Sequence, residues 1–279
     1  MASKQLLSAT LLELSPNTRQ QDSMTPTRGQ PSGLNAFGNW LNLHWFGVFL
    51  VVYGLWVWLP WLAPVAMHLG WDGLGKAIYF VYSFFCHQLP ERSFFLFGAK
   101  PMYSLVEIQA AWRETVNPAL LRRFIGMPVM GWKVGWSDRM VSFYTSIWIF
   151  ALLWWPLRRK IKPLSLWGFA LFLLPMVLDG GSHAISDLAG IGRGFRDSNL
   201  WLGALTQYAL PSSFYAGDAL GSFNSIVRLT TGVLAGLSIA WLALPFIYRA
   251  QALNRQLDEL NYGKVLEQIR TQNPRPAGR

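Results

Sequence analysis

Tyr79-Phe-Val-Tyr-Ser-Phe-Phe-Cys86-His87-Gln88-Leu-Pro90-Glu91-Arg92-Ser93-Phe-Phe-Leu-Phe-Gly98 is the stretch around which the chain is organised. An apolar aromatic run meets the single cysteine, then His87 and Gln88, and Pro90 stops it before the charged pair Glu91 and Arg92. A greasy segment that ends in such a polar group marks one face of a membrane, because charge is tolerated at the edge of hydrocarbon and not inside it.

The composition around this stretch agrees. The 279 residues are 52% hydrophobic with 15 Trp and only 14% charged, too apolar and aromatic for an ordinary soluble domain. The net charge of +10 does not point to nucleic acid, because the basic residues flank apolar runs instead of forming a basic module with stacking aromatics. The partner expected of them is a lipid bilayer with anionic lipid on the cytoplasmic side. One cysteine excludes an intramolecular disulfide and any site built on two thiolates.

Outward from the stretch, apolar runs give five spans, at about 45–69, 71–88, 140–157, 164–179 and 225–248, since about 20 helical residues cross a hydrocarbon core. The second is marginal: 18 residues extend roughly 27 Å as a helix. If it lies in the interface, the spans number four. The fold expected is therefore an all-α integral membrane protein, a bundle of five or four transmembrane helices with short amphipathic helices in an outer loop. Residues 1–43 read as a mobile tail rich in Pro, Gly and Ser, and 249–279 as a basic cytoplasmic helix and tail.

Between the second and third runs, Ser104 and Glu107 form a capping box that opens a helix through Trp112 and Glu114. Asn117-Pro118 is an N-cap with proline in the first helical position, and Gly126 closes that helix. Arg158, Arg159, Lys160 and Lys162 place the next loop in the cytoplasm by the positive-inside bias. That assigns a multi-pass topology in the plasma membrane with a cytoplasmic C-terminus and the Cys86 end outside. Seven Lys or Arg within Glu91–Arg139 vote the other way, weakly, because charges far from span ends count little.

On the outer face collect Cys86, His87, Gln88, Arg92, Ser93, Asp138, Arg139, Tyr144, Asp179, His183, Asn224 and Arg228. An unpaired charge in an apolar run costs ~2.5–3.5 kcal/mol on insertion scales, so pairing is expected, and depth along the spans pairs Asp179 with Arg228. Three uses of the face stay open. Cys86, His87, Asp179 and His183 offer ligands for a single transition metal, although adjacent Cys86 and His87 point about 100 degrees apart on a helix. The same four offer a cysteine activated by histidine, with Asp179 as orienter, for redox or nucleophilic catalysis. The third is a structural polar cluster of Gln88, Arg92, Ser93, Arg139, Tyr144, Asp179 and Arg228 in a non-catalytic accessory or assembly component with membrane-protein partners. A transporter ranks below these, because no acidic residue falls at mid-depth. Gly232 and Gly236 make a GxxxG strip that packs inside the bundle.

Several of these residues carry a resemblance. Cys86-His87-Gln88, Pro90 and Arg92-Ser93-Phe94, then Ser137-Asp138-Arg139 to Tyr144, Asp179-Gly180, and Arg228 followed by Thr231-Gly232 resemble the signatures of a prokaryotic membrane-protein family known as domain of unknown function 2085. The resemblance covers about Trp71 to Leu244. Ser137 stands where that family tends to have a second cysteine and Met140 where some members have a third. The resemblance implies an uncharacterised membrane protein and adds no activity.

Overall fold

The computed structural model describes residues 33–272. The chain divides into two units, Met1–Trp45 and Phe46–Arg279. Of the first, the described residues are helical, with Trp40 stacked on His44 at 5.0 Å between ring centres. The tail expected over 1–43 thus lies largely outside the described residues, and Gly33–Leu43 is already helix.

Among the described residues four helices are long and apolar enough to cross a membrane: α1 (Gly33–His68), α5 (Asp138–Leu157), α6 (Leu166–Asp187) and α10 (Phe223–Gln272). The segment expected at 71–88 is not a fifth. Its helix, α2 (Asp72–Tyr82), has 11 residues and ends in a turn at Ser83, because the backbone must turn to bring Cys86 and Gln88 back onto the fold. Of the two expected counts, the candidate spans among the described residues match the smaller. Helix α6 also outruns its expected end at Asp179 by two turns, so Asp179, His183 and Asp187 lie along one helix. Helix α10 continues through the segment expected as a separate cytoplasmic helix.

The loop between α2 and α5 is richer than two amphipathic helices, and the all-α expectation is corrected there. After a 3-10 turn, Pro90–Arg92, it holds β1 (Ser93–Leu96), α3 (Leu105–Ala111), α4 (Pro118–Leu121), β2 (Gly126–Met127) and β3 (Gly131–Ser137). The strands form an antiparallel sheet in the order β1-β3-β2, with Ser93 opposite Ser137 and Leu96 opposite Trp132. Gly131 has φ +74 and lies so close to Leu96 that a β-carbon would meet its carbonyl oxygen, so this edge needs glycine. The expected caps are present: Ser104 and Glu107 make the capping box, and Asn117 Oδ1 accepts from Ala119 N at 2.8 Å. The helices are shorter than expected, ending at Ala111 and Leu121, and Gly126 opens a strand instead of closing a helix.

Two apolar clusters hold this region. Met67, Ile78, Tyr82, Cys86, Val134 and Trp136 form one, and Leu89, Phe95, Tyr103, Ile108, Leu121 and Phe124 belong to the other. A polar contact ties the first cluster to α1. Pro60 has no N–H, which leaves the Trp56 carbonyl without its helical donor, and the Tyr82 hydroxyl donates to it at 3.0 Å.

Helices α5 and α10 meet along the glycine strip, as expected. A β-carbon at Gly232 would collide with Ser142 Oγ and one at Gly236 with Ser146 Oγ, while those serines donate to the Arg139 and Phe143 carbonyls of their own helix. Removing side chains on one helix lets the other's polar ones turn inward. Gly232→Leu and Gly236→Leu should each destabilise the protein by about 1–3 kcal/mol through overpacking. Thermal denaturation in mild detergent should show a lower Tm for both, and an unchanged Tm would mean the helices do not touch there.

Candidate functional site

Helix α5 begins, helix α6 ends and helix α10 begins at the same end of the four-helix unit, and the pairing of Ser93 with Ser137 brings the turn after Cys86 to that end as well. Three short helices follow α6: α7 (Phe195–Ser198), α8 (Leu200–Thr206) and α9 (Ser212–Tyr215). They close over it. Asn199 Nδ2 donates to the Arg196 and Tyr215 carbonyls, and Asn224 Nδ2 donates to the Arg196 and Gly217 carbonyls. This clamp presents Arg196 and Asp218 inward.

The result is a largely buried network of four arginines and four aspartates, with Arg139 and Asp187 at its partly exposed edge. Arg92 binds Asp187 through both terminal nitrogens, at 2.7 Å each, and Asp218 through Nε at 2.7 Å. Arg228 joins Asp218 to Asp138, with Nε 2.9 Å from both Asp138 oxygens. Asp179 takes Arg139 on one oxygen at 2.7 Å and Arg196 on the other at 2.8 Å. His183 stands between the two halves: Nδ1 is 3.2 Å from Asp179 Oδ1, and Nε2 is 3.7 Å from Asp218 Oδ1, too far for a hydrogen bond. Asp138, Asp179, Asp218, His183 and Arg228 are all buried.

The network obeys the rule that buried charge is paired, but not in the pairing expected from depth. Asp179 is held by Arg139 and Arg196, and Arg228 by Asp138 and Asp218. Depth alone left several partners possible, and Arg196 and Asp218 come from loop elements with no apolar run to mark them. In Asp218 burial pushes the carboxyl up, and the Arg92 and Arg228 guanidiniums outweigh it, holding it well below the usual carboxylate range.

The remaining expected cluster residues have other places. Gln88 adopts φ +52, and its conformation is locked on three sides: its N–H donates to Cys86 Sγ at 3.4 Å, Nε2 donates to the Tyr79 carbonyl, and its own carbonyl accepts from Lys133 Nζ. Ser93 Oγ donates to the Leu89 carbonyl, and Tyr144 packs on Trp136 with ring centres 4.8 Å apart. These three lie outside the charge network. Cys86 Sγ accepts from the Ser137 backbone N–H at 3.4 Å and lies 3.5 Å from Ser137 Oγ.

A recess of about 500 Å³ opens beside the network, with Cys86, His87, Arg92, Arg139, His183 and Arg228 in its wall. Three of the four candidate metal or catalytic residues therefore share one recess, and Asp179 stands behind His183. They do not converge: among the described residues no three His, Cys, Asp or Glu side chains are grouped as metal ligands. Both Asp179 oxygens are occupied by guanidinium groups, whose charge opposes a cation at that place.

Next to the network lies a buried pair the sequence did not single out. Glu91 is 1% exposed, with both carboxylate oxygens lacking a hydrogen-bond partner, and burial raises its pKa to about 7. Lys133 is fully buried, donates to the Gln88 and Arg122 carbonyls, and burial lowers its pKa to about 7. The position of Glu91 beside Arg92 and that of Lys133 between Trp132 and Val134 in an otherwise uncharged strand are the signals the sequence holds.

No family profile matches the chain, and no solved structure matches it. An uncharacterized protein of Methanocaldococcus jannaschii is 24% identical over 195 residues, which is 67% of this chain and 82% of that protein.

Two predictions follow from the geometry. In double-mutant cycles on unfolding, Asp138→Ala with Arg228→Ala should show clear coupling and Asp179→Ala with Arg228→Ala far less, with single losses of about 3–5 kcal/mol for a broken buried pair. Glu91, whose pKa is raised on folding, contributes stability when protonated, and that contribution is lost as pH rises from about 4.5 to about 7. Glu91→Gln should remove this slope from the Tm-against-pH curve, and a slope unchanged by the substitution would assign it to another group.

Proposed function

We propose that the chain is a protein of the cell membrane that crosses it four times and serves as a non-catalytic accessory or assembly component, with its recess at the outer helix ends. The observation that carries this is the closure of the charge network. Asp138, Asp179, Asp187 and Asp218 are each engaged by arginine, so none stands free as a base or a metal ligand. Cys86 packs among Tyr82, Val134 and Trp136, as a small apolar residue would. Side chains committed to one another in this way favour a scaffold over a reaction centre.

Four crossings, with the loop at Arg158–Lys162 inside, put both ends of the chain in the cytoplasm. The basic residues that vote the other way weigh little: with four crossings the segment between α1 and α5 covers residues 69–137, and the charges of so long a loop set orientation only weakly. Membership of the family known as domain of unknown function 2085 is part of this proposal, resting on Cys86-His87-Gln88 and Arg92-Ser93-Phe94.

The test is elemental analysis by plasma mass spectrometry on protein purified in mild detergent, with Cys86→Ser and His183→Ala preparations alongside. Metal far below one atom per chain in all three is the expected outcome. One atom per chain, lost in both variants, would overturn the scaffold and make the recess a cofactor site. Alkaline carbonate extraction tests the crossings separately: the protein should stay in the membrane pellet.

A further inference from the structure

At the opposite end from the charge network, α5 and α10 enclose an apolar groove of about 240 Å³ lined by Leu153, Leu157, Leu237 and Trp241, with Ile161 from the following loop closing it. Ile161 lies between Lys160 and Lys162 in sequence, so the loop that closes the groove also carries Arg158, Arg159, Lys160 and Lys162. Arg158 is committed: it donates to the Trp155 carbonyl at 2.7 Å and lies 4.1 Å over the Trp155 ring. Arg159, Lys160 and Lys162 are exposed and make no ion pair among the described residues. No acidic residue occurs from Met140 to Leu178 or from Phe223 to Tyr248, so nothing on the three helices near this end offsets them.

The loop is pinned to the groove. Pro245 cannot donate to the Trp241 carbonyl four residues before it, and Leu164 N donates to that oxygen at 3.2 Å. Trp241 Nε1 donates in turn to the Lys162 carbonyl at 3.1 Å. The backbone that carries the three cations is thereby held beside the apolar slot.

We propose that this groove and its basic loop form a binding site for an anionic phospholipid, with one acyl chain in the groove and the phosphate against Arg159, Lys160 and Lys162. The site rests on the four-crossing topology, because an acyl chain reaches the slot from the bilayer. The slot is smaller than the roughly 300–1,000 Å³ that enclose a whole drug-sized ligand, which suits part of a chain whose remainder lies among other lipids. Its charge complementarity commits it to an anionic headgroup, since each Lys or Arg near the surface strengthens attraction to anionic lipid severalfold.

Native mass spectrometry of the detergent-purified full chain, titrated with phosphatidylglycerol or phosphatidylcholine, reads the site directly. Wild-type protein should retain one phosphatidylglycerol in preference to phosphatidylcholine. The triple variant Arg159→Gln, Lys160→Gln, Lys162→Gln should lose that preference, by about tenfold or more. These side chains are exposed, so the fold should survive. Leu153→Trp, which fills the slot from its exposed side and keeps every charge, should also lower retention. Equal retention of the two lipids by the wild type, an unchanged preference in the triple variant, or unchanged retention in Leu153→Trp would each overturn the proposal. Carbonate extraction of the same membranes separates this failure from that of the topology: a protein that stays in the pellet without lipid preference has lost the site and kept its crossings.

Discussion

Electroneutrality among buried charges is the constraint on which one end of this protein depends. A guanidinium or carboxylate removed from water costs several kcal/mol unless it is paired and its hydrogen-bonding capacity is filled. Arg92, Arg139, Arg196 and Arg228 meet Asp138, Asp179, Asp187 and Asp218, and each arginine binds at least one carboxylate within 3 Å. The start of α5, the end of α6, the start of α10 and two loops must therefore come to one level. Arrangements that separate any of them strand a charge. Burial alone would not set such a register, because apolar contacts tolerate sliding that two opposed carboxylate oxygens do not.

The long apolar helices were legible because length and hydropathy are direct consequences of what a bilayer demands, and the glycine strip because close helix approach needs a specific spacing. Charge pairing was legible in kind and not in partner. Asp179 and Arg228 sit at matched depth in sequence, but the chain between them folds Arg196 and Asp218 into the gap, and a loop residue carries no depth signal. Segment 71–88 misled for a related reason. Its composition suits a span, and only the tertiary bonds of Gln88, Lys133 and Tyr82 show why the helix must stop at Tyr82. The sheet leaves little trace in the sequence: β2 has two residues and β1 four, too short for alternation to register, and β3 carries two glycines and a burial pattern that does not alternate.

Proline does similar work at both ends of the bundle. Pro60 in α1 releases the Trp56 carbonyl to Tyr82, and Pro245 in α10 releases the Trp241 carbonyl to Leu164. In each case a bond lost inside a helix is replaced by one to another segment. A proline that would only weaken an isolated helix becomes a point of attachment at these two places, and each freed carbonyl finds a donor.

The two ends differ in how they treat charge, and this difference gives the molecule a direction. At the end holding Asp179 the network arginines Arg92, Arg196 and Arg228 are buried and Arg139 partly so, each paired with aspartate, so these four present little net field to their surroundings. At the end holding Lys160 the cations are exposed and unbalanced, so their field extends outward for about a Debye length, ~8–10 Å at ordinary salt. A paired charge is nearly indifferent to an anionic surface, and an exposed unpaired one is drawn to it. Opposite demands follow on sequence: at the first end the loss of Asp179 leaves Arg139 and Arg196 without a carboxylate and the loss of Arg228 leaves Asp138 without a guanidinium, whereas at the second Lys and Arg can be exchanged provided the total charge is kept.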